Sequence, residues 1–234
     1  MEYGPKKHTL APYVTGASVL GVVYKDGVMM AADARVSYGR MELAKTVPRF
    51  IKVNETTAVG MSGEYSDFQY IKQLLGEVET EDWVNQDGDS MDAKQYASYL
   101  GRVMYNRRTK FDPLYNQVGV AGYKEGKPFL AYIDLNGTAY EETTIASGMG
   151  QYFARPLLRQ HHKVDMTEAQ AKELLEMCMR VLFYRDCSAS HRLQICKATA
   201  AGIEIGEPYA LSHNWSFNAW TRPSTDFGLY GTSW

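Results

Sequence analysis

The sequence predicts an α+β fold, a four-layer αββα sandwich in which two antiparallel sheets lie between outer layers of helices. Strands and helices come in blocks along the chain, in the order strands, two helices, strands, two helices, strands. Because strand and helix do not alternate one by one, a parallel doubly wound sheet is disfavoured. Tight turns inside the strand blocks favour antiparallel pairing, and 234 residues are enough for one domain with a large core.

The first strand block contains two predicted pairs of strands. Apolar, β-rich runs at Ser18–Tyr24 and Val28–Ala32 flank Lys25-Asp26-Gly27. Asp-Gly between such runs is a strong hairpin signal, because glycine tolerates the positive φ of a tight turn. A second pair is predicted at Phe50–Val53 and Thr57–Met61.

Two amphipathic helices are predicted next. Within residues 66–78, apolar side chains recur every three or four positions, at Phe68, Ile71, Leu75 and Val78. Residues 92–108 repeat the pattern with Tyr96, Tyr99, Leu100, Val103 and Met104. This spacing places the apolar side chains on one face of each helix, which we expect to pack on a sheet.

The second half of the chain repeats the strand pattern. Strands are predicted at Gln117–Tyr123, Phe129–Asp134 and Thr138–Ile145. After a helical block, two further strands are predicted at Arg192–Thr199 and Gly202–Ile205. These segments supply the rest of the two sheets.

The second helical block is predicted to contain one weak and one strong helix. A helix over residues 150–160 is weakened by Pro156, which lacks a backbone donor. Residues 167–186 form the strongest helical pattern in the chain, and Thr167 with Gln170 makes a capping box at its start.

Charge and composition argue against several classes of protein. Basic and acidic residues nearly balance, at 25 and 27, and no Lys/Arg cluster stands out. A nucleic-acid partner is therefore not expected. No apolar run is long enough to span a membrane, and the first residues lack the apolar core of a secretory signal. We expect a soluble cytoplasmic and nuclear protein with no membrane partner.

No metal or cofactor site is predicted from the cysteines. Cys178, Cys187 and Cys196 form no C-x-x-C pair and have no histidine at ligand spacing. An odd number of unpaired thiols fits a reducing compartment.

The glycines and histidines of the second half predict no cofactor or metal site either. Gly148 and Gly150 lack the third glycine of a dinucleotide fingerprint, so a tight strand-to-helix turn is favoured. The pair His161-His162 closes a predicted helix without a carboxylate or cysteine at ligand spacing.

The remaining notable residues are spread along the chain and together resemble a known family. The runs "VYKDGVMMAADARVSYGR", "KTVPRFIKVNETTAVGMSGEYSDFQYIKQLL" and "LFYRDCSASH" are similar to those of a proteasome beta-type subunit. The likeness extends from Val14 to Pro208 in order and spacing. Within the family, "EYSDFQY" and "RVMYNRRTKFDPLYN" most resemble the seventh, non-catalytic beta subunit of the eukaryotic 20S core particle. The resemblance implies the N-terminal-nucleophile hydrolase fold, in agreement with the predicted layers.

Active members of this family, as the resemblance implies, cleave themselves after a glycine and expose a threonine whose hydroxyl attacks a peptide carbonyl. Gly16 matches the residue before the cut, and Ala17 falls on the nucleophile. Asp33 matches a supporting aspartate, whereas Arg49 falls on a supporting lysine. Alanine has no oxygen to attack with, and a guanidinium cannot accept a proton as an amine can.

Three more positions complete the resemblance. Ser147 matches a supporting serine and Asp186 the aspartate of a "YRD" motif, but Ala189 falls where active members place another serine. Ala17, Arg49 and Ala189 thus depart from the active pattern. The resemblance implies that the chain has no catalytic residue, and Arg49 is expected to form an ion pair with the aspartate that helps hold the fold.

Two neighbouring hydroxyls leave a catalytic alternative open. Ser18 follows Ala17 directly, so in a strand its side chain points to the opposite face. Thr15 shares the face of Ala17 but lies about 6–7 Å away along the strand. Either would need a new cleavage site, and a threonine-type or serine-type peptidase using one of them is the alternative function.

The expected organisation has three parts. Residues 1–16 are a short leader-like arm, residues 17–208 a single proteasome beta-type domain, and residues 209–234 a C-terminal extension that contacts other subunits. Trp215 and Trp220 are expected to anchor this extension as an intermolecular clamp, because aromatic anchors often carry most of an interface's binding energy. A frayed tail is the alternative. An alpha-type gate subunit is disfavoured, because the arm lacks that type's long helical extension.

The function implied by the resemblance is structural. The chain would be an inactive subunit of a threonine-type endopeptidase complex, needed for assembly and stability of the double beta ring in ubiquitin-dependent protein degradation. The implied partners are other beta subunits of the same and the facing ring and the alpha-ring subunits, in a hetero-oligomer of twenty-eight chains without cofactors.

Overall fold

A computed structural model describes residues 11–85 and 90–216 of the chain. In chain order, its strands are β1 (Val14–Gly16), β2 (Val19–Tyr24), β3 (Gly27–Asp33), β4 (Val36–Tyr38), β5 (Met41–Ala44), β6 (Phe50–Lys52), β7 (Thr57–Glu64), β8 (Asn116–Lys124), β9 (Lys127–Ile133), β10 (Ala139–Glu141), β11 (Thr144–Ala146), β12 (Arg192–Thr199), β13 (Gly202–Ile205) and β14 (Tyr209–Ala210). Its helices are α1 (Tyr65–Asn85), α2 (Ala93–Thr109), α3 (Gly150–Phe153), α4 (Arg155–His161) and α5 (Glu168–Arg185).

The larger sheet has the strand order β10-β9-β8-β7-β1-β4-β5, and β6 also pairs with β7. Its pairs are antiparallel. Strand β1 lies inside the sheet, where Thr15 is opposite Ser37 of β4 on one side and Glu64 of β7 on the other. Residues 14–16, which the sequence assigned to the leader-like arm, are therefore part of the sheet.

The smaller sheet has the order β11-β2-β3-β12-β13, with β14 paired to β12. The β2–β3 hairpin has the predicted turn, with Tyr24 opposite Gly27. The predicted single strand at 138–145 is wrong. It divides into β10 and β11, which belong to different sheets, so the chain crosses from one sheet to the other at residues 142–143.

Three apolar clusters separate four layers. The cluster between the two sheets includes Met30 of β3 and Leu130 of β9. A second cluster packs α1 and α2 against the larger sheet, with Ile71 and Leu100 fully buried. A third packs α4 and α5 on the smaller sheet. The predicted αββα sandwich of two antiparallel sheets is confirmed, and it is consistent with an N-terminal-nucleophile hydrolase fold.

Helix boundaries follow local sequence signals. Thr167 forms the predicted capping box with Gln170 at the start of α5. The predicted helix at 150–160 is two helices, and Pro156 lies in the first turn of α4, where its missing donor breaks no helical hydrogen bond. Gly148 precedes α3 with a φ of 56°, as the tight turn requires. No helix in the described ranges is long and apolar enough to cross a membrane.

Candidate functional site

The centre of the site is a buried ion pair. Asp33 ends β3, and Arg49 directly precedes β6, so the two sheets bring the side chains together. The Arg49 Nη1 donates to Asp33 Oδ1 at 2.8 Å, and the two side chains are 2% and 0% exposed. The pairing predicted from the sequence is therefore present.

The other Arg49 nitrogens bind backbone carbonyls. Nη2 donates to the carbonyl oxygen of Ala17 at 2.7 Å and to that of Met61 at 2.8 Å, and Nε donates to Met61 at 3.1 Å. The guanidinium lies against Gly16, where an added Cβ would be 2.4 Å from the Arg49 Cζ. Arg49 thus fixes the Gly16–Ala17 link from one side.

Burial shifts the pKa of both partners of the ion pair. Loss of hydration raises the pKa of Asp33 to about 6, and the Arg49 charge and the Ser190 N–H oppose that shift. Burial likewise lowers the pKa of Arg49, opposed by the Asp33 carboxylate. Each charge depends on the other to remain in the interior.

Ala17 lies at the edge of a small cavity. Ala17 is half-buried and joins β1 to β2. A cavity of about 260 Å³ lies beside it, and its walls include Thr15, Asn116, Asp186 and Ser188. Ala17 presents only a methyl group to this space, so it offers no atom for acyl transfer.

Ser147 is tied to the backbone near Ala17. Its Oγ accepts a hydrogen bond from Val19 N–H at 2.7 Å and lies 3.2 Å from the carbonyl oxygen of Val19 as a donor. Its own N–H donates to the same carbonyl at 2.9 Å. The serine joins the end of β11 to the start of β2 and is buried.

Asp186 and Ala189 lie on the loop that follows α5. Asp186 Oδ1 accepts the N–H of Ser188 at 2.9 Å, and the Ala189 N–H donates to the Asp186 carbonyl at 3.1 Å. This turn aims the N–H of Ser190 at Asp33 Oδ2, at 2.9 Å. All seven matched positions therefore lie around the start of β2, although Ala189 contributes only its backbone and a buried methyl group.

The two alternative hydroxyls have different surroundings. Ser18 is buried and contributes to the wall of the cavity, and its Oγ accepts the N–H of Gly150 at 2.8 Å. Thr15 lines the same cavity as Ala17. Its backbone, however, is paired on both sides within the larger sheet.

Sequence reasoning missed the residues that hold β1. Glu64, at the end of β7, accepts hydrogen bonds from the N–H groups of Tyr13 and Val14, the latter at 3.0 Å. The Tyr13 ring packs on Tyr38 with centroids 4.2 Å apart. The only sequence signal for β1 was the β-prone residues that end at Gly16. A run of three residues is too short to establish a strand. The acceptor role of Met61 left no signal, because it uses the backbone.

The residues weighed for metal or cofactor binding have other contacts. His162 caps α4, and its Nε2 lies 2.6 Å from the Val23 carbonyl oxygen. The thiols of Cys178 and Cys196 are buried, and burial raises the pKa of each to about 12, while Cys187 is exposed. Within residues 11–85 and 90–216, no group of three His, Cys, Asp or Glu could hold a metal ion.

The first residues of the C-terminal extension fold back on α5. Arg180 Nε donates to the Ser212 carbonyl at 2.8 Å, and the Tyr184 hydroxyl accepts the Asn214 N–H at 2.7 Å. Trp215 packs edge-on against Tyr184, with centroids 4.9 Å apart, and is 42% exposed. Trp215 therefore has an intramolecular contact and is partly exposed, whereas Trp220 lies outside the described residues.

The sequence matches one family model. A model described as "Proteasome subunit" matches residues 13–198, which include all the positions of the site. The match begins one residue before β1 and ends within β12.

Similar proteins are found in animals, plants and fungi. The Xenopus laevis protein named "Proteasome subunit beta type-4" is 44% identical over 214 residues, 91% of this chain and 88% of that protein. The Arabidopsis thaliana protein of the same name is 42% identical, covering 93% of this chain and 89% of that protein. The Saccharomyces cerevisiae "Proteasome subunit beta type-7" is 39% identical, covering 82% and 76%.

Proposed function

The chain belongs to the proteasome subunit family, and we propose that it is a non-catalytic beta subunit of the 20S core particle, where it serves assembly and stability. The observation that carries the proposal is Ala17, which occupies the nucleophile position and faces the cavity with a methyl group. Its beta type is supported by the names of its relatives from frog, plant and yeast.

The Arg49 contacts support the loss of catalysis. An arginine in place of the lysine keeps its protons and donates hydrogen bonds to Asp33 and to the carbonyls of Ala17 and Met61. Position 49 therefore carries no amine that could accept a proton from position 17. The same hydrogen bonds join residues that are far apart in the chain, which suits a structural subunit.

The place of the subunit in the ring is also part of the proposal. The yeast relative is named beta type-7, which supports the seventh position, while the frog and plant relatives are named beta type-4. Neighbours would be beta subunits of the same and the facing ring and alpha-ring subunits, in a particle of twenty-eight chains acting in ubiquitin-dependent degradation. The three free thiols support a reducing compartment, cytoplasm and nucleus.

The C-terminal extension is proposed to act between rings. Arg180 and Tyr184 seat residues 212–216 on α5, and Trp215 keeps an exposed face. This seat would set the direction in which the following residues leave the domain towards the facing ring.

The assembly role is tested by depleting the chain from cells and resupplying variants. The full chain is expected to restore double-ring particles, whereas a chain lacking residues 212–234 should leave half-particles to accumulate, because its contacts to the facing ring are gone. A Tyr152→Phe variant, altered at an exposed tyrosine of α3, serves as control. Native gels measure the ratio of double-ring to half particles. Normal particles in depleted cells would sink the structural role, and normal assembly with the shortened chain would sink the clamp.

The alternative is a peptidase that uses Thr15, since this hydroxyl lines the cavity. It requires cleavage before Thr15, which would cut β1 after its first residue. Ser18 is less suited, because its oxygen is already bound to Gly150 N–H in a buried site.

A further inference from the structure

We propose that Phe111, at the C-terminal end of α2, is an anchor that inserts into an apolar pocket rimmed by carboxylates on a neighbouring subunit. The inference rests on the proposed function, because it requires a particle for the chain to enter.

The backbone around Phe111 forms a turn that usually ends a helix with glycine. Helix α2 ends at Thr109. The N–H of Phe111 donates to the Arg108 carbonyl at 3.1 Å, and the N–H of Asp112 donates to the Arg107 carbonyl at 3.1 Å. These two bonds define the Schellman motif, whose left-handed residue is most often glycine. Phe111 occupies that position with a φ of 55°.

Phenylalanine is unfavourable here for the isolated chain. A residue with a Cβ is strained in the left-handed region, whereas glycine is not. The Phe111 side chain is also 90% exposed, more than any other large apolar side chain in the part of the chain that is described. The ring buries almost nothing against its own domain. Because glycine would suit this turn better, we infer that the phenylalanine ring serves a contact with another chain.

The turn that carries the ring is held on both sides. Arg107 pairs with Asp112 across it at 2.8 Å, and the Thr109 hydroxyl donates to the Asn106 carbonyl at 2.8 Å. Leu114 is buried shortly after the turn. A side chain presented on a fixed backbone loses less conformational entropy when it binds, which favours its use as an anchor.

The surrounding charges indicate the chemistry of the partner. Arg102, Arg108 and Lys110 have exposed side chains on the last two turns of α2 and its cap. The Arg108 guanidinium lies over the Tyr105 ring, 5.7 Å from its centroid. An apolar ring that follows a helix end with three exposed cations fits an apolar pocket with carboxylates at its rim, because complementary charges guide and orient association. Aromatic and arginine side chains are also the commonest interface hot spots.

A matched control exists in the turn between β8 and β9. Glu125 is the other non-glycine residue with positive φ among those described, at 54°, and its side chain is exposed in the β8–β9 turn. Replacing it by glycine relieves the same backbone strain without removing an apolar ring.

The test is a competition between two tagged forms of the full chain in the same cells. The variant-to-wild-type ratio in assembled particles is divided by that ratio in the free pool. For Phe111→Gly we expect a decrease of about threefold or more, for Phe111→Leu a smaller decrease, and for Glu125→Gly none. Double substitution of Arg108 and Lys110 by glutamate should also lower entry. Entry of Phe111→Gly equal to wild type would overturn the anchor.

A stability measurement separates the anchor from a role in folding. The free full-length Phe111→Gly chain is expected to melt at a higher temperature than wild type, and the same is expected of Glu125→Gly. Lower entry combined with a higher melting temperature supports the anchor. A lower melting temperature would show that the ring stabilises its own domain, which contradicts the proposal.

A photoreactive phenylalanine analogue at position 111 identifies the occupant of the contact. In assembled particles we expect an adduct with a different subunit, at a peptide rich in Asp or Glu. An adduct only with a second copy of this chain, or none, would contradict the proposal. If the wild-type chain itself fails to enter particles, the proposed function fails as well; if it enters and Phe111→Gly enters equally, only the anchor fails.

Discussion

Arg49 connects the parts of the site at the scale of single residues. Its guanidinium binds the buried carboxylate of Asp33 and the carbonyls of Met61 and the half-buried Ala17. A buried cation of this kind is tolerated only because every donor faces an acceptor. Arg49 therefore links Asp33, Ala17 and Met61 into one structural unit.

Replacing Arg49 by methionine is expected to give a stability deficit that grows with pH. The folded-state pKa of Asp33, about 6 in the wild type, should rise further without the guanidinium. A folded carboxyl with a raised pKa binds a proton that the unfolded chain has released, so its stabilising effect is present in acid and lost as pH rises. We expect the deficit in unfolding free energy to increase between pH 6 and 8 and to reach about 3–5 kcal/mol.

Denaturant unfolding at several pH values measures this deficit. Lys52→Met is the control, because Lys52 pairs with an exposed Glu55 at 2.7 Å and its loss should cost about 1 kcal/mol or less at each pH. A deficit for Arg49→Met that stayed constant or shrank from pH 6 to 8 would refute the coupling to Asp33.

Restoring two of the changed site residues should not restore an enzyme. We expect the double variant Ala17→Thr with Arg49→Lys to stay close to background, because Ala189 still supplies no hydroxyl and the Gly16–Ala17 link stays within paired β-structure. Labelling of this chain by a peptide electrophile that reacts with an N-terminal threonine is the measurement, in purified particles. Adding Ala189→Ser provides the comparison. Strong labelling of the double variant would show that the site has decayed less than its contacts indicate.

At the scale of elements, β1 determines how the site is covered. It inserts between β7 and β4, and Glu64 holds the residues before it. Gly16 packs against the Arg49 guanidinium, so the strand and the ion pair are one unit. Removal of β1 would leave β4 and the last residues of β7 each without a neighbouring strand on one side.

Gly16→Ala tests this contact directly. The new Cβ would lie 2.4 Å from the Arg49 Cζ, and the guanidinium cannot move without losing its buried acceptors. We expect a loss of about 1–3 kcal/mol in unfolding free energy. Gly76→Ala, in the interior of α1 with no atom within 4 Å of its Cβ, should instead gain up to about 1 kcal/mol. Equal effects of the two substitutions would contradict the packing described for Gly16.

Elements with a clear periodic pattern were predictable from the sequence, and short ones were not. Helix α5 matched its capping box at Thr167, and the β2–β3 hairpin matched its Asp-Gly turn. Strand β1 and the β4–β5 hairpin have three or four residues each, too few for a period, and their strand state comes from neighbours far along the chain. The change of sheet between β10 and β11 is a tertiary effect for the same reason.

The site was predictable in its residue types but not in its backbone contacts. The resemblance supplied Asp33, Arg49 and Asp186, and the structure brings them together through the Ser190 N–H. The carbonyls of Ala17 and Met61 carry no residue-specific signal, so their role as Arg49 acceptors could be found only from coordinates.

At the scale of the whole molecule, the domain has the layers of the family, and its unusual features lie in three separate places. The site with Ala17 lies where β1, β2 and β11 meet, and the extension leaves from α5, where Arg180 and Tyr184 bind it. Phe111 projects from the other helical layer. Under the proposal of a non-catalytic subunit, the function lies on the surfaces through which the chain contacts its neighbours.

The central claim is that the chain stays uncut at the Gly16–Ala17 link inside a working particle. The measurement that tests it most directly is the intact mass of this subunit, taken from purified, proteolytically active particles. We predict a mass that includes Val14–Gly16, whatever trimming occurs before them, because β1 is paired on both sides and Ala17 cannot drive self-cleavage. A mature chain that begins at Thr15, Ala17 or Ser18 would contradict the account.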